Sequence, residues 1–131
     1  MSNDTGLDFQ LNINKDNLID LPNLRDEFRR MPIIQYRYSE AKSDAERDYD
    51  GDKARYEEMK SQVYVELKTS GEKYTENHLK AAIEIDPRVV DLKKKMLDSK
   101  RTYNTLKNYT ESLSTKKDML IQLGADMRKE R

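Results

Sequence analysis

The sequence predicts an all-α fold: a long antiparallel helical hairpin with a short helical elbow, coiled-coil-like packing and an oligomeric state. Three observations predict it. Steps of three and four residues in alternation pass through Val89, Leu92, Met96, Ser99, Tyr103, Leu106, Thr110, Leu113, Lys117, Leu120, Gly124 and Met127, most of them apolar or aromatic. Such a seven-residue repeat marks a helix that buries one narrow stripe against another helix. Charged residues make up 38% of the chain against 35% hydrophobic, too polar for a thick globular core but compatible with an elongated helical assembly. Capping and stop signals divide the rest into a second long helical pattern and short connecting pieces.

In chain order, residues 1–20 read as an N-terminal arm, flexible or packed on a neighbour, and residues 21–131 as the hairpin domain. Phe9, Leu11 and Ile13 alternate with polar residues as a short strand does, but no second strand is available to pair with it. Leu21-Pro22 after Asp20 opens a short helix to about Arg30, which Met31-Pro32 interrupts. A long helix follows from Ile33 to about Lys68, with Ile34, Tyr38, Ala41, Ala45, Tyr49, Tyr56, Met59, Val63 and Leu67 along one side. Gly51 is its weak point, costing about 1 kcal/mol against alanine. Thr69-Ser70-Gly71 ends it, and Thr75 caps a short helix carrying Leu79, Ala82 and Ile83. Asp86 as N-cap and Pro87 at the first helical position open the last helix, which at about 1.5 Å per residue is a rod far longer than a compact core needs. The two long helices fold back on one another. Tyr109, Met119, Ile121 and Leu123 lie partly outside the seam and stay exposed in a monomer, so the chain is expected to associate with copies of itself. Leu106, Leu113, Leu120, Ile121, Leu123 and Met127 are the candidate oligomer interface.

The residue inventory argues against an enzyme. One histidine and no cysteine provide neither a Cys-His pair nor a multi-His metal site, and no disulfide scaffold. His78, in the polar stretch Glu76-Asn77-His78, reads as a surface or capping residue. Lys68-Thr69-Ser70-Gly71 lacks the spacing of a phosphate-binding loop. The acidic run Asp44, Glu46, Asp48, Asp50, Asp52 alternates at a spacing that scatters carboxylates around a helix. No cofactor is expected. No apolar stretch approaches the roughly 20 residues of a membrane span, and the acidic start lacks a signal-peptide layout. A soluble, cytoplasmic protein with no membrane partner is the expectation.

A net charge of zero conceals an asymmetry. Residues 1–86 hold 13 Lys or Arg against 19 Asp or Glu, and residues 87–131 hold 12 against 6. Opposite blocks suit contact between subunits or a basic surface offered to an anion such as nucleic acid; a solvated helix face is the plainer alternative. Lys53, Arg55, Lys60 and Lys68 accompany Tyr56 and Tyr64, and Lys93, Lys94, Lys95, Lys100 and Arg101 lead to Tyr103, with Lys107 beside Tyr109. Cations that track phosphates and phenol rings that stack bases are the combination used for single strands without sequence preference. Tyr56 and Tyr103 also fit a hairpin core.

Lys53-Ala54-Arg55 on the long helix, the polar turn at Ser70-Gly71 and the terminal Leu120-to-Met127 segment together resemble the UvsY-type recombination mediators of T-even-like phages, across residues 15–131 in pattern. The segment from Lys68 through Asp86-Pro87 to Gly124 also looks like that of short phage proteins encoded beside recombination genes. The resemblance implies a small helical protein that forms a ring through its C-terminal helix, binds single-stranded DNA and loads a RecA-like recombinase onto DNA coated by single-strand-binding protein. It implies that Lys53 and Arg55 are a DNA-binding pair. This chain departs from the family in carrying its tyrosine and glycine, Tyr64 and Gly71, later after the basic pair. The alternative from another class is a helical scaffold, adaptor or assembly chaperone that acts only through protein contacts.

Overall fold

A computed structural model describes residues 11–130, and within them every regular element is helical. A helical turn, α1 (Ile13–Asp16), and a 3₁₀ turn at Leu21–Asn23 lead into the long α2 (Leu24–Lys68); α3 (Glu76–Ile85) and the long α4 (Pro87–Lys129) follow. No helix among the described residues is long and apolar enough to cross a membrane. The contacts divide the chain into two compact units, one of residues up to Lys42 together with those from Thr105 onward, the other Ser43–Asn104.

The local signals act as the sequence suggests. Thr75 accepts a hydrogen bond from the His78 N–H at 3.2 Å and so caps α3. Asp86 accepts the Arg88 N–H at 2.9 Å at the start of α4. Gly71 has a φ of 87°, the left-handed conformation that ends α2 at little cost only for glycine.

Pro32 does not interrupt the chain, and the predicted break between two helices is absent. It stands inside α2 although a proline there removes one backbone hydrogen bond and costs about 3 kcal/mol. Glu27, Met31, Ile34 and Tyr38 follow at steps of four, three and four, and all are buried or half-buried, so the packing of one face holds the helix together across the proline. Pro32 itself is exposed.

In the Ser43–Asn104 unit, the later part of α2 packs antiparallel to the start of α4, with Tyr49 stacked on Tyr103 and Glu66 bonded to Arg88. Tyr56, Val63, Leu79, Ile83 and Val89 form its core, and α3 supplies Leu79 and Ile83. Each such fully buried apolar side chain contributes about 1.5–3 kcal/mol. Asp52, which the alternating acidic run disguises, faces inward and accepts a hydrogen bond from Ser99 of the α4 stripe.

In the other unit the start of α2 packs antiparallel to the end of α4 around Met31, Tyr38, Leu113 and Leu120, and Tyr109 meets Tyr38 edge-on at 6.3 Å. Leu11, Ile13 and Ile19 pack on this core. Ile13 begins a helical turn where the alternation suggested a strand; Phe9 and the rest of residues 1–10 lie outside the described residues. The Tyr38 hydroxyl donates to Asp16 at 2.7 Å, and burial with this carboxylate beside it pushes its pKa well above the ordinary range.

The seam expected at Lys117 passes instead through Lys116. Lys117 is exposed, whereas Lys116 is 3% exposed, bonds the Asp16 carbonyl and lies 3.0 Å from Glu27. The buried path runs Tyr109, Leu113, Lys116, Leu120, a four-three-four sequence that keeps the alternation in a different phase from the expected one. Leu113 and Leu120, expected between copies, are enclosed in the chain's own core; Leu106 and Leu123 are half-buried within one chain, and Ile121 and Met127 are exposed. Tyr109 and Leu123, expected to stay exposed in a monomer, are partly covered, while Met119 is exposed.

Candidate nucleic-acid interface

Every cation singled out from the sequence except Lys107 falls in the Ser43–Asn104 unit, on α2 or α4. Helix geometry separates them into sets. Residues two apart on a helix stand about 200° round the axis from one another, so Lys53 and Arg55 diverge to opposite flanks of α2. The two do not form the single site that a Lys-x-Arg pair suggests.

Arg55 joins Arg47, Lys95, Asp48, Asp52 and Ser99 around a groove of about 550 Å³ on one side of the unit. Its cations are largely engaged. Arg55 donates to Asp52 at 2.6 Å and Arg47 to Asp44 at 3.1 Å, and only Lys95 lacks an ion pair among the described residues. Gly51 lines the same groove, with open space where a side chain would stand apart from the Arg55 guanidinium at 4.0 Å.

Lys53, Lys60 and Tyr64 follow one another at steps of seven and four along the other flank of α2, and Lys68 lies four further on. Lys60 is half-buried with its ammonium 5.0 Å above the Tyr56 ring, and Lys68 sits 5.7 Å above the Tyr64 ring and 3.7 Å from Glu76. On α4, Lys93 and Lys100 are one heptad apart, as are Lys94 and Arg101, and all four are exposed. The periodicity turns Lys93 and Lys100 away from the groove that Lys95 lines. Lys93 lies 3.9 Å from Glu84; Lys53, Lys94, Lys100 and Arg101 have no ion pair among the described residues. A carboxylate within about 4 Å competes directly with a phosphate, so the unpaired cations are the ones best placed to meet an anion.

The rings divide as well. Tyr56 is 7% exposed and belongs to the core, and Tyr103 is half-buried against Tyr49 at 6.3 Å, with its pKa raised by a hydrogen bond to Glu46. Neither offers a face to a base. Tyr64, 40% exposed, does.

Arg88, which the sequence did not flag, is a structural staple. It makes a two-pronged bond to Glu66 at 3.1 and 2.7 Å and another to Asp86 at 3.0 Å. The hydrogen bonds hold both carboxyls below the usual range and raise the arginine. Among the described residues no three His, Asp or Glu side chains are placed to hold a metal ion.

No family model matches the chain, and no curated protein or solved structure is similar to it.

Proposed function

We propose that this protein is a non-enzymatic recombination accessory that binds single-stranded DNA and assists a RecA-like recombinase in replacing single-strand-binding protein. The DNA-binding half rests on one observation: Lys53, Lys60, Lys94, Lys100 and Arg101 have no ion pair among the described residues, in the unit that also exposes Tyr64. Phosphates would track the side bearing Lys53, Lys60, Lys93 and Lys100, with Lys94 and Arg101 reaching from the crest of α4 and Lys68 beside Tyr64. Arg55 and Lys95 face the other side. Recombinase loading rests on the resemblance of Lys53-Ala54-Arg55 and its flanking segments to the UvsY-type mediators. Holding DNA in the shape a recombinase prefers would lower the cost of filament nucleation without a catalytic group. Coiled-coil packing and self-association, with Ile121 among the exposed contacts, belong to the same proposal, since a ring multiplies weak sites into avidity.

Titration of labelled oligo-dT by fluorescence anisotropy at several salt concentrations, beside duplex DNA of equal length, tests the reading. Single-strand binding releases about 0.7 counterion per neutralised phosphate, so replacing Lys53, Lys60 and Lys100 with glutamine should shallow the log–log salt slope by about 2. Arg55→Gln alone should leave the slope nearly unchanged, because Asp52 already neutralises that guanidinium. No binding at low salt removes the DNA reading.

A helical scaffold acting through protein contacts is the second reading, favoured by the exposure of Met119, Ile121 and Met127. It expects no DNA affinity, and association that Ile121→Ser with Met127→Ser abolishes in sedimentation velocity.

A further inference from the structure

A groove of about 340 Å³ lies in the unit that holds the chain's C-terminal helix, walled by Leu24 and Phe28 of α2 and Met127 of α4, with Arg25 and Arg128 at its edges. Its size is at the small end for ligand pockets, enough for one large side chain. Gly124 makes the groove. A Cβ there would stand 3.3 Å from the Phe28 ring and 3.7 Å from the Arg128 guanidinium, so the missing side chain lets the ring lie against α4. Phe28 is 39% exposed and Met127 47%.

We propose that this groove docks an acidic segment of a partner protein, one large apolar side chain entering between Phe28 and Met127 while neighbouring carboxylates meet Arg25 and Arg128. Two properties select this occupant. The walls are an aromatic ring, a thioether and a leucine, a surface that adapts to a buried apolar anchor. Neither edge arginine has an ion pair among the described residues, although ion pairs occupy Arg29 and Arg30 nearby on α2. Unpaired guanidiniums flanking an apolar pocket match carboxylates flanking an apolar residue, and the fork geometry of arginine suits carboxylate. Asp126, two residues before Arg128, is bonded to Gln122 at 3.0 Å and lies about 200° round α4 from Arg128. A nucleic-acid strand fits less well, because the groove closes around one side chain instead of offering an extended track.

The test is anisotropy of a fluorescein-labelled peptide, Asp-Asp-Asp-Asp-Leu-Phe, against the full chain, with Asp-Asp-Asp-Asp-Ala-Ala and oligo-dT as parallel probes. Saturable binding is expected for the first peptide, at least tenfold weaker for the alanine peptide. The double variant Arg25→Glu, Arg128→Glu should weaken it at least tenfold while leaving oligo-dT binding and helical circular dichroism unchanged. Both arginines are exposed, so the variant is expected to fold. Phe28→Ala should weaken the first peptide and bring it level with the alanine control. Equal binding of the two peptides overturns the proposal, as does no binding of either. Loss of oligo-dT binding alone in the double variant would assign the arginines to nucleic acid. Self-association lost in that variant without peptide binding would assign the groove to a second copy, and either result also refutes a peptide site.

Discussion

Replacing Lys116 with methionine should destabilise the unit around Tyr38 and Leu113 by about 3 kcal/mol. The side chains of Lys116 and Glu27 are 3% and 2% exposed and 3.0 Å apart. Lys116→Met removes the charge and the bond to the Asp16 carbonyl, leaving a buried carboxylate with two remaining donors, Arg30 at 2.7 Å and the Asp20 N–H at 3.3 Å. Breaking a buried pair costs about 3–5 kcal/mol, and the surviving bond from Arg30 places the cost at the low end. With a urea slope of about 2 kcal/mol/M, the midpoint of the Tyr38-side transition should fall by about 1.5 M. Replacing Glu27 with leucine in the same chain should recover most of that loss, because an apolar pair of similar volume leaves no uncompensated charge. Burial pushes the Glu27 carboxyl upward, but the bonds from Arg30 and Lys116, with the Asp20 N–H, outweigh it and hold the pKa below its ordinary 4.5. Its stabilisation is therefore complete above pH 4.5 and is lost as pH falls through the lower folded value, and Glu27→Gln should flatten that acid limb. A midpoint shift of less than about 0.3 M for Lys116→Met would refute the buried pair.

Two further substitutions probe backbone arguments. Pro32→Ala should stabilise α2 by up to about 3 kcal/mol by restoring a helical hydrogen bond, read as a higher thermal midpoint; no gain would mean the helix breaks there in solution. Gly71→Ala should cost about 1–2 kcal/mol in urea unfolding through its left-handed conformation alone, since nothing lies within 4 Å of the added methyl; a neutral result would place the α2 stop elsewhere.

The long helices and their stops were legible because each rests on neighbours in sequence. The stripe from Ile34 to Leu67 is buried or half-buried at every position named for it, and α4 begins at Pro87 as its cap predicts. Three inward polar residues, Glu27, Asp52 and Lys116, are not legible as buried, the last two for different reasons. Asp52 continues the three-four steps between Tyr49 and Tyr56, but its place in the alternating acidic run hides that register. Strict alternation from Leu106 points to Lys117, but Lys116, three residues after Leu113 and four before Leu120, is equally regular. Of the candidate site, the cations were legible as residues but not as a surface. Arg55 is ion-paired to Asp52 one turn before it, and Tyr56 is taken into the core through contacts across space.

The all-helical class, the helix ends at Gly71 and Asp86, and the cations between Lys53 and Arg101 follow from local signals, since caps and helical periodicity act between residues about four apart. Tertiary packing sets the course of α2 through Pro32, the inward facing of Leu113 and Leu120 on their own chain, and which cations lack an ion pair among the described residues. Those outcomes depend on what lies opposite each side chain. A helix burying Met31 and Tyr38 against Leu113 and Leu120 gains enough to override one missing hydrogen bond, and a lysine beside a buried glutamate stays inside where a solvated one would not.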